Sequence, residues 1–280
     1  FHFGTQEHRI VGMISHLGPQ LGIADGIALA NILKQEELAT LVFTGDGGAS
    51  EGDFHESLNV AAVWNLPVIF CVENNSWGLS TPSEEQFKCK QFIDKGIGYG
   101  MEAIQMDGNN ILEVIRTLRR VTNEIRKNPK PVLLEAMTFR IRGHEESSGT
   151  KYYPEGIREE WAVKDPISNY EMFLKEEGIL TDEIESEYRK ELKELIQSSF
   201  DLAQSEPLIT SDENSEEEDV FAPFIQNVIE GKGERKEIRF IDAIHQGLNQ
   251  SMERYPGLVL MGQDIAEYGG AFKVTEGLVD

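Results

Sequence analysis

Residues Thr40–Pro82 read TLVFTGDGGASEGDFHESLNVAAVWNLPVIFCVENNSWGLSTP. A short apolar run, Leu41-Val42-Phe43, ends in Gly45-Asp46-Gly47-Gly48. A helical segment follows from about Asp53 to Asn65, and Leu66-Pro67 stops it. A second apolar run, Val68 to Val72, ends in Glu73-Asn74-Asn75. This is a strand–helix–strand unit with polar, metal-capable residues at the carboxyl ends of both strands. Parallel units of this kind place a ligand at those ends.

The flanks extend the same alternation. Ser15-His16-Leu17-Gly18-Pro19 is turn-like after an N-terminal loop (residues 1–14), and Pro19 suits the first turn of a helix to about Lys34. Its apolar positions are Leu21, Ala24, Ala28, Leu29, Ile32 and Leu33. Residues 80–102 look irregular, Ala103–Met106 reads as a short strand, and Asp107-Gly108-Asn109-Asn110 as a turn. A helix from about Ile111 to Lys127 presents Ile111, Val114, Ile115, Leu118, Val121 and Ile125. Val132-Leu133-Leu134-Glu135-Ala136 is a further buried strand. The expected fold is therefore α/β, a parallel sheet flanked by helices.

Residues 139–160 form a long charged loop, a place where function often resides. Two helices are expected next, one from Pro166 to about Glu177 and one after Thr181 with Ile184, Tyr188, Leu192, Leu195, Ile196 and Ala203 on its apolar face. They form a helical extension that completes a first domain, residues 1–204. Residues 205–236 carry an acidic run and a basic GKGERKE segment, too poor in apolar surface to order themselves. They read as a flexible linker. From about Ile238 a second α/β domain begins, with a helix through Phe240, Ile244 and Leu248 and a strand Leu258–Met261. Residues 237–280 hold only its start.

The chain has 280 residues, 40% of them hydrophobic, and a formal charge of −23. That length supports a substantial core. The charge argues against a nucleic-acid surface, which needs clustered Lys and Arg, and is compatible with docking on a basic partner. No apolar stretch approaches the roughly 20 residues of a spanning helix, and no signal peptide is read. Cys71 and Cys89 show neither metal nor redox spacing. A cytoplasmic protein without disulfides is expected. Because the first residue is Phe1 rather than Met, sequence upstream of it is also expected.

Asp46 and Asn75 offer hard oxygen ligands suited to Mg²⁺ or Ca²⁺, and Mg²⁺ commonly keeps phosphate oxygens among its ligands. The glycines beside Asp46 let backbone approach a phosphate, and a helix N-terminus follows them. GDG alone is only a tight turn, and an Asn pair alone is more often a turn than a ligand. The combination GDG-x26-NN, each part after an apolar strand, is far more specific. It resembles the signature of thiamine-diphosphate enzymes. GDGGASEGDFHESLNVAA and LPVIFCVENNSWGLSTP narrow the resemblance to the alpha subunit of the 2-oxo acid dehydrogenase first components, over roughly residues 1–205. Residues 237–280 resemble the start of the beta subunit, so an alpha–beta fusion is expected.

The resemblance implies a thiamine-diphosphate-binding fold. It implies Mg²⁺ held by the side chains of Asp46 and Asn75 and the carbonyl of Trp77. It places Gly47 and Gly48 at the diphosphate, Leu79 as the wedge that bends the cofactor, and Ser15 and Leu17 beside the aminopyrimidine. His144 matches the active-site loop histidine that contacts the diphosphate and faces the reactive carbon, and Arg140 lies in the same loop. A histidine in a charged loop is ordinarily just solvated; the RIRGH context singles this one out. The implied reaction is oxidative decarboxylation of a 2-oxo acid, branched-chain first and pyruvate next, with acyl transfer to a lipoyl group on a partner acyltransferase. The implied partners are a beta-type half and that acyltransferase core, in a homo-oligomeric assembly.

The sequence departs from the family in places. Glu145 stands where animal members carry a regulatory serine. A Tyr-Arg pair that holds the diphosphate would precede Phe1. The activating glutamate would follow Asp280, and Glu276 is not that residue. Alternatives are another thiamine enzyme, transketolase-like or an acetoin dehydrogenase, and a non-catalytic assembly module. Intact Asp46 and Asn75 argue against the last.

Overall fold

The computed structural model describes residues 3–12, 15–145, 147, 149–208, 210–221, 223–226, 228 and 236–279. It contains two compact units, Phe1–Ser205 and Glu206–Asp280. Parts of the N-terminal loop (residues 1, 2, 13 and 14) and of the expected linker (209, 222, 227 and 229–235) lie outside the described residues.

In the first unit α1 (Pro19–Leu33) leads to β1 (Thr40–Gly45), a 3-10 turn (Gly48–Ser50), α2 (Gly52–Trp64) and β2 (Val68–Asn74). A small hairpin follows, β3 (Trp77–Gly78) and β4 (Thr81–Pro82), then α3 (Ser83–Gln86) and α4 (Ile93–Gly98). The unit continues with β5 (Glu102–Asp107), α5 (Ile111–Lys127), β6 (Val132–Met137), α6 (Ile157–Ala162), α7 (Pro166–Glu176) and α8 (Asp182–Ser205). The stretch 80–102, expected to be irregular, thus holds a hairpin strand and two short helices, and the charged loop 139–160 ends in α6. These pieces are too short to show a hydrophobic period.

Local chemistry sets the boundaries. Asn110 caps α5 by accepting from the backbone N–H of Leu112 and Glu113, and Asp165 caps α7 through Ser168 N–H with Pro166 at its first position. Asn65 ends α2 in the left-handed conformation, φ 52°, a role Asn fills more readily than most residues.

The sheet is wholly parallel in the order β1-β2-β6-β5. β2 is buried on both faces, as parallel strands flanked by helices are. Val68, Phe70 and Val72 join Leu21, Phe54, Leu58 and Phe92 on one face. Ile69 and Cys71 join Val121, Ile125, Val132 and Leu134 on the other. Fully buried side chains of this size contribute about 1.5–3 kcal/mol each. The Cys71 thiol is pushed up to about 12 by burial and then by Glu73, so it packs as an apolar group. Both cysteines are free.

The apolar stripes hold in part. Leu21, Ala24 and Ala28 of α1 are buried, but Leu33 at its end is exposed. In α5 Val121 and Ile125 are buried while Ile111 and Ile115 stay exposed. On α8, Tyr188, Leu192, Leu195 and Ile196 are exposed within this unit. Among the described residues no helix is long and apolar enough to cross a membrane.

The second unit contains α9 (Glu213–Val220), α10 (Phe240–Arg254) and a 3-10 turn (Ala271–Lys273). α9 lies in the acidic run expected to remain irregular. A reciprocal Asp212–Ser215 capping box nucleates it, and acidic residues in its first turn suit the positive end of the helix dipole. Leu258–Met261, expected as a strand, is not in a ladder. A strand needs a neighbour, and among the described residues this unit supplies none.

Strand order positions the site. The chain moves outward from β2 to the far edge at β5 and returns to β6 beside β2. The α2 connection packs on one face and α5 on the other. The carboxyl ends of β2 and β6 therefore flank the point where winding direction reverses, the ligand crevice of open α/β sheets.

Candidate functional site

Three loops meet at that edge, those after β1, β2 and β6. Asp46 follows β1 and is 1% exposed. Its Oδ2 accepts a hydrogen bond from Ser83 Oγ at 2.8 Å. Its Oδ1 is buried and has no hydrogen-bond partner. A buried carboxylate oxygen left unsatisfied is costly, and a bound cation would satisfy it.

Gly47 and Gly48 begin the 3-10 turn. Gly47 has ordinary helical dihedrals, φ −63° and ψ −44°, so torsional freedom does not explain it. Space does. A Cβ there would sit 2.9 Å from Cα of Gly78, and one on Gly48 would sit 2.6 Å from Oγ1 of Thr44 and 3.9 Å from Cβ of Leu17. The turn, the β3–β4 hairpin and Leu17 are thus in close approach. Ser15 lies exposed in the segment leading to α1. Lys95 holds the turn from below. Its Nζ donates to the carbonyl of Ala49 at 3.2 Å and stands 4.8–5.4 Å from the ring centroids of Phe54, Phe87 and Phe92. Burial in that aromatic setting lowers its pKa.

Asn75 follows β2. Its Oδ1 accepts from the backbone N–H of Trp77 at 3.1 Å, an Asx turn. Ser76 and Leu79 both have positive φ, 66° and 58°. For a leucine this is an uncommon, strained conformation. It places Leu79 at the tip of the hairpin, 58% exposed.

The loop after β6 reaches over the same hairpin. Arg140 Nη2 donates to the carbonyls of Trp77 at 2.8 Å and Leu79 at 3.3 Å. Its Nη1 meets His144 Nδ1 at 2.5 Å. Arginine is only a donor, so His144 Nδ1 is the acceptor and Nε2 carries the proton. Gly143 (φ +86°) has no room for a Cβ, because Gly149 O would lie 2.6 Å away. His144 N–H donates to Tyr152 Oη at 3.2 Å. Tyr153 Oη donates to the carbonyl of Arg140 at 2.9 Å. Its hydroxyl is pushed up to about 12, by burial first and Tyr152 next, and stays protonated. Trp77, Tyr152, Tyr153, Phe139 and Trp161 pack in series against this loop, edge-on or tilted except for the stacked Phe139–Trp161 pair. A cavity of about 340 Å³ opens under it, lined by Asn109, Thr138, Phe139, Arg140 and Trp161 among others. Asp46 and Asn75 do not line that cavity.

The expected residues therefore fall into two linked groups. Asp46, Gly47, Gly48 and Leu17 surround the turn after β1. Arg140 and His144 join Trp77 and Leu79 at the hairpin. For a metal, Asp46 Oδ1 is available, while Asn75 Oδ1 and the Trp77 carbonyl each already accept one hydrogen bond and keep a second lone pair. Among the described residues no cluster of three or more His, Cys, Asp or Glu could hold a metal ion. A donor set here is one carboxylate with amide oxygens, which suits Mg²⁺ when phosphate oxygens complete it. Sequence reasoning missed Ser83, Lys95 and Glu135. Ser83 follows a Pro and precedes Glu-Glu-Gln, a helix-start signal that could have flagged the element but not its contact with Asp46.

Residues 1–211 match the dehydrogenase E1 component family. The chain is 37% identical over 207 residues to the 2-oxoisovalerate dehydrogenase subunit alpha of Bacillus subtilis, covering 74% of this chain and 63% of that protein. It is 37% identical over 206 residues to the mitochondrial 2-oxoisovalerate dehydrogenase subunit alpha of Caenorhabditis elegans, covering 72% and 48%. To the pyruvate dehydrogenase E1 component subunit alpha of Bacillus cereus it is 34% identical over 193 residues, covering 68% and 52%. The chain thus spans about half to just under two thirds of these relatives.

Proposed function

The chain belongs to the dehydrogenase E1 component family, and on that premise we propose that it anchors thiamine diphosphate and Mg²⁺ in a 2-oxo acid dehydrogenase. The observation that carries the proposal is the unpartnered, buried Oδ1 of Asp46 beside the close-packed glycine turn. Asp46, Asn75 and the Trp77 carbonyl would hold the ion. The backbone of Gly47 and Gly48 would line the diphosphate, with Leu79 and Leu17 as apolar contacts and Ser15 near them. Thiamine diphosphate, when bound, supplies the electron sink for loss of carbon dioxide from a 2-oxo acid.

The chain's own residues orient and polarise. Arg140 fixes the hairpin that carries Trp77 and Leu79, and it fixes the tautomer of His144. His144 then presents Nε2–H as a donor for an anionic oxygen of the cofactor or substrate. The aromatic residues packed in series give the loop a rigid backing.

The proposed reaction passes the acyl fragment to a lipoyl group on a partner acyltransferase. A branched-chain 2-oxo acid is preferred and pyruvate comes next; the names of the similar proteins from Bacillus subtilis and Caenorhabditis elegans favour that order. The family match ends at residue 211. The reading of 237–280 as the start of a beta-type domain, joined through 205–236, rests on its sequence resemblance.

The test is calorimetry on the full-length protein with its beta-type half. Thiamine diphosphate should bind with Mg²⁺ present and not after chelation. Turnover with a lipoyl acceptor should then be faster on 3-methyl-2-oxobutanoate than on pyruvate. Metal-independent binding, or turnover that needs no lipoyl acceptor, contradicts the proposal. His144→Ala should lower acyl transfer about 10²–10³-fold, the scale for loss of one aimed donor, with cofactor affinity changed far less. Unaltered turnover in that variant removes His144 from the site.

A further inference from the structure

The carboxylate of Glu135 lies in the middle of the sheet, on β6, with the residue 0% exposed. Burying a carboxylate is expensive, and a well-packed apolar residue of similar volume often serves stability as well or better. Here both oxygens are hydrogen-bonded. Oε1 accepts from Asn74 Nδ2 at 2.7 Å. Oε2 accepts from Gln105 Nε2 at 3.1 Å and from the backbone N–H of Phe92 at 3.0 Å and Ile93 at 3.5 Å.

These contacts continue to the site. Asn74, held by Glu135, accepts the backbone N–H of Ser76 on its Oδ1 at 2.9 Å. That bond holds Ser76 in its positive-φ conformation and so shapes the turn that contains Asn75. The carbonyl of Ser76 accepts the N–H of Ser83 at 3.0 Å. Ser83 Oγ then donates to Asp46 Oδ2 at 2.8 Å. One hydrogen-bonded line therefore runs from β6 through the loop after β2 to the carboxylate after β1. It satisfies one oxygen of Asp46 and leaves the other without a partner.

We propose that Ser83 and Glu135 are positioning residues for the metal-diphosphate site. Ser83 fixes the rotamer of Asp46 so that Oδ1 stays available to a cation. Glu135 fixes Asn74 and, through it, the Asn75–Trp77 turn. The inference rests on the cofactor reading above. Residues that orient metal ligands from behind typically matter 10–100-fold for metal affinity. Mg²⁺ demands near-ideal octahedral geometry, whereas Ca²⁺ accepts flexible coordination. A loosened Asp46 should therefore penalise Mg²⁺ more than Ca²⁺, which a purely structural role would not do.

The experiment titrates Mg²⁺ and, separately, Ca²⁺ into the assembled enzyme, stripped of metal by chelation, with excess thiamine diphosphate, by calorimetry. Ser83→Ala should weaken Mg²⁺ by about 10–100-fold and Ca²⁺ several times less, and Ser83→Thr should restore both. Glu135→Gln, which replaces one of the two acceptor oxygens by an N–H₂ facing at least one of these donors, should show the same bias; if it fails to fold, the Ser83 pair decides. Wild-type Mg²⁺ affinity in Ser83→Ala, or an equal loss for both cations, overturns the proposal. If Asp46→Ala still abolishes binding in that case, the cofactor reading stands. Unchanged binding in Asp46→Ala overturns both.

Discussion

Asp46→Ala is expected to abolish Mg²⁺-dependent binding of thiamine diphosphate while leaving the metal-free fold intact. The two halves of that expectation come from the two oxygens of one carboxylate. Oδ1 is buried without a partner, so in the metal-free protein the side chain costs stability instead of supplying it. Only Oδ2 is engaged, by Ser83, and a neutral truncation gives up that single bond while relieving a buried charge. The melting temperature of the metal-free variant should therefore stay within about 2–3 °C of wild type, the shift that roughly 1 kcal/mol produces in a domain of this size. With Mg²⁺ and diphosphate the balance reverses. Removing one partner of a buried charge pair costs about 3–5 kcal/mol, a loss of roughly a hundredfold to several thousandfold in affinity. Calorimetry and thermal melting on the same samples separate the two effects. A variant that melts much earlier yet still binds would make Asp46 a structural carboxylate and remove the metal from this loop.

Much of this edge is legible in the sequence because it is local. The GDG turn, the helix after it and the Asn pair each follow an apolar strand, and periodicity with turn chemistry suffices to place them. The helix over Ile111–Lys127 and the strand over Val132–Met137 are legible for the same reason. What holds the site together is not local. Ser83 reaches Asp46 across 37 residues, Lys95 reaches Ala49 across 46 and Asn74 reaches Glu135 across 61. In the sequence Glu135 is a lone acidic residue in an apolar run, and nothing in VLLEA says which donors will converge on it. Leu258–Met261 shows the converse. Its composition favours a strand, but strand formation requires a partner, and composition carries no information about whether one is present.

The second large effect is on stability, and it lies outside the cofactor loops. Asp25, on the buried face of α1 with Leu21, Ala24 and Ala28, is 6% exposed, and its Oδ1 has no partner. Burial pushes its carboxyl from 3.8 up to about 7, and no neighbouring charge contributes to that shift. A raised carboxyl pKa means that the folded chain holds the proton more tightly than the unfolded chain does. Below about pH 4 both states are protonated and the group is neutral to stability. Between about 4 and 7 the unfolded chain releases its proton first, so stability falls as pH rises. Above about 7 the full penalty is present, on the order of 4 kcal/mol for this displacement. Asp25→Asn removes the titration and keeps the shape, although burying the amide returns part of the gain. At pH 8 the variant should therefore melt roughly 5–10 °C above wild type, and the difference should close as pH falls toward 4. Melting curves for both proteins across that range test the sign directly. A variant that is less stable than wild type at pH 8 would mean that the ionised carboxylate has a favourable partner in the assembled protein.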